Sequence, residues 1–155
     1  MGAFLKRLSS KSGGFRFFVI FYPPFLFSGI KVEKVSKDFR YIKVRLKLRW
    51  YNRNYVGTQF GGSLFSMTDP FYMIMLIKNL GKDYIVWDKK SCIKFIKPGT
   101  TDVFAEFRID DEIIENIKRE VDKNGKGEFP FTVEIKDKSG QLIALVEKIE
   151  YVRKK

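Results

Sequence analysis

The residues that could do chemistry are concentrated in one stretch, from Asn54 to Pro70, which runs straight into the apolar segment from Phe71 to Ile77. Gly57, Gly61 and Gly62 build a turn where a ligand can come close to the backbone, because glycine carries no Cβ. Backbone N–H groups in such a turn can hold a developing negative charge, and the best placed is that of Gly61 at the start of the following helix. Asp69 is the one carboxylate in the first half of that helix. It can take a proton from water as a general base, or attack a carbonyl itself. Asn54, Thr58, Gln59, Ser66 and Thr68 supply amides and hydroxyls that could orient water or substrate, and Phe60 and Gly62 flank the donor. The chain contains no His and a single Cys, Cys92. Ser-His-Asp and Cys-His catalysis are therefore ruled out, and a zinc site would have almost no ligands. We expect no metal, and any catalysis must rest on carboxylates and backbone dipoles.

The elements that must position these groups can be read from periodicity. Val32 and Val35 mark a short first strand, and Ile42, Val44, Leu46, Leu48 and Trp50 alternate with cations in a second. Residues 62 to about 80 are apolar nearly all round and stop at Gly81, so this long helix must be wrapped by other elements. Pro70 interrupts it and should kink it, or free the carbonyl of Ser66. A long or bulged strand follows from Tyr84 to Ile96 and closes at Pro98-Gly99. Val103, Ala105, Phe107 and Ile109 alternate in the next strand. Ile113, Ile114, Ile117 and Val121 have helical spacing behind an N-cap at Asp110 or Asp111. Two final strands, from Phe131 and from Leu142, flank the turn Asp137-Lys138-Ser139-Gly140. The connections after the helix are too short for parallel crossovers, so the sheet is antiparallel and the class is α+β.

The chain is 155 residues long with 45% hydrophobic and 16% aromatic content, which predicts one folded domain despite a net charge of +12. We expect a basic helix and an extended lead-in through Pro23-Pro24 over residues 1–29, with Ser12-Gly13-Gly14 as a linker, and the domain proper over 30–155. The apolar run 17–27 is too short for a membrane span and contains two prolines. Cys92 reads as a buried structural thiol, and a lone Cys fits a reducing compartment such as the cytoplasm. The cations of the second strand alternate with apolar residues, as on a solvated strand face. Nucleic acid is not expected as a partner, whereas contact of the basic, Phe-rich start with a membrane surface is open.

The order of these elements resembles the hotdog fold, a curved antiparallel sheet wrapped around a long central helix. Hotdog thioesterases carry an Asn, a Gly-containing turn, His-Gly-Gly and an acidic residue on the helix. Asn54, Gly57, Phe60-Gly61-Gly62 and Asp69 stand here in that order, and Ile93 to Gly99 is similar to the hotdog strand ending in a Phe-x-x-Pro-type turn. The similarity is greatest to the domain-of-unknown-function 4442 family, in Asn54 to Thr58, Phe60 to Leu64, Met67 to Tyr72 and Tyr84 to Lys89.

The resemblance implies hydrolysis of an acyl-thioester, with Gly61 and Asp69 as the catalytic pair. Asn54, Thr58, Phe60, Gly62, Ser66 and Thr68 would contact the substrate, an acyl-coenzyme A or acyl-carrier thioester. No separate cofactor is implied, since coenzyme A would enter as part of the substrate. It also implies a homodimer, or a dimer of dimers, in which Gly61 and Asp69 meet across the interface. Phe60 stands where the motif has His, so the rival reading is a protein that binds acyl-coenzyme A or a fatty acyl ligand without turnover. A basic RNA- or membrane-binding protein is the third. Each residue also has a structural alternative: the glycines as turn formers, Asn54 as the shaper of the turn, Asp69 as a local kink residue.

Overall fold

A computed structural model describes residues 13–15, 19 and 21–155. Its elements run α1 (Pro23–Ser28), β1 (Ile30–Val35), β2 (Tyr41–Leu46), α2 (Gly61–Ser66), α3 (Phe71–Leu80), β3 (Tyr84–Phe95), β4 (Val103–Arg108), α4 (Asp111–Asn124), β5 (Lys126–Asp137) and β6 (Leu142–Lys154). The strands form one six-stranded sheet in the order β1-β2-β4-β5-β6-β3, with every neighbouring pair antiparallel. The architecture is the α+β one expected. β3 carries the expected bulge, between Asp88 and Lys90.

The central helix forms in two pieces, as a proline at position 70 demands. Pro70 has no N–H to give to Ser66, whose carbonyl instead accepts from Asp69 N–H at 3.3 Å. Pro70 then caps α3, and its own carbonyl accepts from Ile74 N–H at 2.9 Å. Phe71, Tyr72, Met75, Leu76 and Leu80 of α3 are buried in the core, each worth about 1.5–3 kcal/mol of transfer from water if fully buried. β4 and β5 pair only from Val103 to Ala105. Beyond that point Tyr72 bridges them: it stacks on Phe131 at 4.5 Å, meets Phe107 edge-on at 5.2 Å, and donates its hydroxyl to the Thr132 carbonyl at 3.1 Å. In α4, Asp110 is the N-cap and accepts from Ile113 N–H at 2.8 Å.

Three expectations are corrected. The lead-in through Pro23-Pro24 is helical rather than extended, because prolines at the first helical positions lack only N–H groups that a helix start leaves unused. Gly13 and Gly14 are likewise helical, while Ser12 and the basic start lie outside the described residues. Phe15, Val19 and Phe25 join the same buried cluster as the sheet, so this segment packs on the core. Second, β2 ends at Leu46 although the alternation continues to Trp50, which is 81% exposed. Asn52 turns the chain there, accepting from Arg49 N–H at 2.7 Å and donating to the Lys47 carbonyl at 2.7 Å and the Ser28 carbonyl at 2.8 Å. Third, Cys92 is exposed, because β3 is an edge of the sheet.

Asn52 also explains Gly29, the left-handed C-cap of α1 at φ 79°, where an added Cβ would stand 2.3 Å from Asn52 Nδ2. Gly29→Ala is expected to destabilise the protein by more than about 1 kcal/mol. Urea unfolding with an unchanged slope checks this.

The cations of β2 form a solvated face paired with carboxylates of both neighbouring strands. Lys43 meets Glu106 of β4 at 3.1 Å and Arg45 meets Glu33 of β1 at 3.1 Å. No helix among the described residues is long and apolar enough to cross a membrane.

Candidate functional site

The turn before α2 is built by its own side chains. Asn54 Oδ1 accepts from Thr58 N–H at 2.9 Å, while Nδ2 donates to Thr58 Oγ1 at 2.9 Å and to the Gln59 carbonyl at 3.3 Å. Gly57 sits at φ 84°, the left-handed conformation that lets the loop close. Of the two roles open to Asn54, shaping the turn is the one that its amide makes bonds for. Gln59 fastens the turn to the sheet: its N–H donates to the Gly99 carbonyl at 2.8 Å, and Nε2 to the carbonyls of Leu46 and Thr101 at 3.3 and 3.0 Å. Its Oε1 is buried without a partner.

This scaffold opens a cleft of about 440 Å³ lined by Asn54, Thr58, Gln59, Gly61, Phe95 and Pro98, among others. No side chain caps α2, whose first helical bond is Leu64 N–H to the Phe60 carbonyl at 3.0 Å. The N–H groups of residues 61 to 63 therefore precede the first bond that the helix can make. The two glycines also make room for aromatic rings. A Cβ on Gly61 would meet Phe95 Cζ at 3.0 Å, and one on Gly62 would meet Phe60 Cε1 at 2.5 Å. Phe60, in the place of the motif His, is about half exposed and puts a ring against the turn where an imidazole could have made hydrogen bonds.

The structure brings Asn54, Thr58 and Gly61 together and leaves Asp69 outside their cleft. Eight residues of helix would separate Gly61 from Asp69 by about 12 Å. Asp69 is exposed. Ser66 and Thr68 do not reach the cleft either: Ser66 Oγ donates to the Gly62 carbonyl and Thr68 Oγ1 to the Phe65 carbonyl, both at 2.8 Å. Thr68 is buried, and both hydroxyls donate to backbone carbonyls of α2.

The sequence reading missed a buried charged cluster beneath Asp69. Lys148 and Glu150 of β6 are 1% and 0% exposed. Lys148 Nζ lies 2.5 Å from Asp88 of β3 and 3.9 Å from Glu150, and it also donates to the backbone carbonyls of Thr68 and Asp69. Burial, with Asp88 next to it, pushes the Glu150 carboxyl up to about 8. The available signal was the alternation of β6, where Ala144, Val146 and Val152 face the core and Lys148 and Glu150 share their parity.

A six-stranded antiparallel sheet around a broken central helix, with a glycine turn at the helix start, is the hotdog architecture. Within it, the chain belongs to the family described as Domain of unknown function (DUF4442), whose model matches residues 14–152. A Pseudomonas aeruginosa protein of unknown function, called a probable thioesterase, is similar with a TM-score of 0.81 and 20% identity over 90% of this chain and 93% of that one. A protein of unknown function from Chlorobaculum tepidum gives a TM-score of 0.72 at 16% identity, over 95% of this chain and 99% of its own. A thioesterase from Haemophilus influenzae gives 0.67 at 10% identity, over 92% and 90%. At such identities the likeness is one of fold. No curated protein matches the chain.

Proposed function

We propose that this protein hydrolyses acyl-thioesters with a carboxylate and a backbone donor, without His. The observation that carries this reading is the cleft at the glycine turn, where Gly61 sits at an uncapped helix start. A thioester carbonyl seated there would accept from the Gly61 N–H, and the donor would strengthen as charge moves onto oxygen. Asp69 supplies the base that takes a proton from the attacking water, or the nucleophile itself. Acyl-coenzyme A or an acyl-carrier thioester is the substrate class. A panel of acyl-coenzyme A chain lengths, read by thiol release, tests the reading. Thermal stabilisation by an acyl-coenzyme A with no thiol release would instead support a non-catalytic binder, which the Phe60 ring in the place of the motif His favours.

Within one chain the donor and the base stand apart, so the reading requires a homodimer. β3 is a 12-residue edge strand whose Trp87 and Phe95 are 64% and 56% exposed. An edge strand of this length leaves a row of unpaired backbone groups that a second chain can pair with. Wild type is expected to sediment as a dimer at micromolar concentration, and Trp87→Lys to shift it toward monomer. A monomeric wild type would remove the shared site and the mechanism with it.

A further inference from the structure

The break at Pro70 leaves two backbone acceptors that the helices do not use. In a continuous helix the carbonyls of Thr68 and Asp69 would accept from residues 72 and 73. Here α3 starts at Phe71, and its first helical bond runs from Ile74 to Pro70. The ammonium of Lys148 takes both carbonyls. An ammonium buried this completely is costly unless it is paired and bonded, and Lys148 is: Asp88 lies 2.5 Å from Nζ, Glu150 lies 3.9 Å away, and the two carbonyls complete the shell. Three elements thus converge on one cation: β3 through Asp88, β6 through Lys148 and Glu150, and the hinge that carries Asp69.

We propose that Lys148 is a positioning residue: its ammonium, oriented by Asp88, clamps the hinge at residues 68–70 and so fixes the backbone from which the Asp69 carboxylate projects. For catalysis this rests on the hydrolase reading, in which Asp69 is the base. A hinge at a proline, with helix on both sides, would otherwise leave that carboxylate on the most adjustable part of the central helix. A reacting group is held best by neighbours whose own geometry is locked by packing and hydrogen bonds.

The test compares Lys148→Met, similar in length but neutral, with Lys148→Arg and Asp88→Asn, using two readouts. The first is the carboxyl-carbon NMR resonance of Asp69, assigned by its loss in Asp69→Asn. The second is kcat and KM for an acyl-coenzyme A that wild type cleaves. Lys148→Met is expected to move the Asp69 resonance and to lower kcat at least about tenfold with KM within about twofold, as for a group acting on the reacting step alone. Lys148→Arg should restore part of kcat, and Asp88→Asn should move the resonance the same way by less. A folded Lys148→Met with unchanged resonance and unchanged kcat overturns the proposal. Should Lys148→Met not fold, Asp88→Asn decides by the same two readouts, and no change in either overturns it. A wild type that cleaves no acyl-coenzyme A defeats the hydrolase reading alone, and the resonance then decides on Lys148.

Discussion

Asp69→Asn is expected to lower kcat for acyl-coenzyme A hydrolysis at least about a hundredfold, the lower end of what a positioned general base contributes, without changing the melting temperature. Asparagine keeps the size and shape of the side chain but cannot accept the proton of an attacking water. The fold should not notice the change, because Asp69 is exposed and its hinge is held through its backbone carbonyl rather than its carboxylate. Exposed substitutions of this kind usually stay within about 0.5 kcal/mol. Base and nucleophile can be separated in the wild type. In a single turnover in heavy-oxygen water, attack by Asp69 passes through an anhydride and can leave the label in the Asp69 carboxyl, whereas general-base catalysis puts it only in the fatty acid. Mass spectrometry of the peptide containing Asp69 tells them apart. Unchanged turnover in Asp69→Asn would remove Asp69 from the mechanism.

The motif order singled out Asn54, Gly61 and Asp69 as candidates, and the period-two and helical patterns made the sheet and the central helix legible. What the sequence could not supply was which polar atoms were already spent. Asn54, Ser66 and Thr68 have types that suit substrate binding, yet their side chains bond to their own turn or helix. Such local bonds depend on rotamers and backbone angles that no spacing rule contains. The overlong second strand failed for a related reason: the alternation from Ile42 to Trp50 is real, but Asn52 takes over the backbone bonds after Leu46. Lys148 and Glu150 were hidden in the opposite way. Their parity in β6 was visible, but charged residues read as outward by default; Asp88 and the hinge carbonyls make an inward place tolerable for Lys148, and burial pushes the neighbouring Glu150 toward its neutral form.

Glu150 gives the second large effect, in the pH dependence of stability. Its carboxyl is pushed up from 4.5 to about 8, first by burial and then by Asp88, while Lys148 opposes the shift. Below about pH 4.5 the group holds its proton in both the folded and the unfolded chain. Between 4.5 and 8 the unfolded chain releases that proton and the folded chain keeps it, so the folded state binds more protons and its stability falls as pH rises. Above 8 both forms are ionised and this contribution is flat. The same step is absent for Tyr72, which burial pushes up to about 12 and which therefore stays protonated throughout the window. Each pKa unit is worth about 1.4 kcal/mol, so Glu150 should account for a loss of a few kcal/mol across the window. Glu150→Gln removes the titration while keeping the shape. Its absolute stability depends on whether the amide finds partners, since both carboxylate oxygens lack a hydrogen bond in the fold. The slope is the cleaner quantity: urea unfolding of Glu150→Gln from pH 5 to 8 should be markedly flatter than that of wild type. An equal slope in the two proteins would mean that Glu150 is ionised in the folded state, with Lys148 shared between two buried carboxylates rather than committed to Asp88 and the hinge.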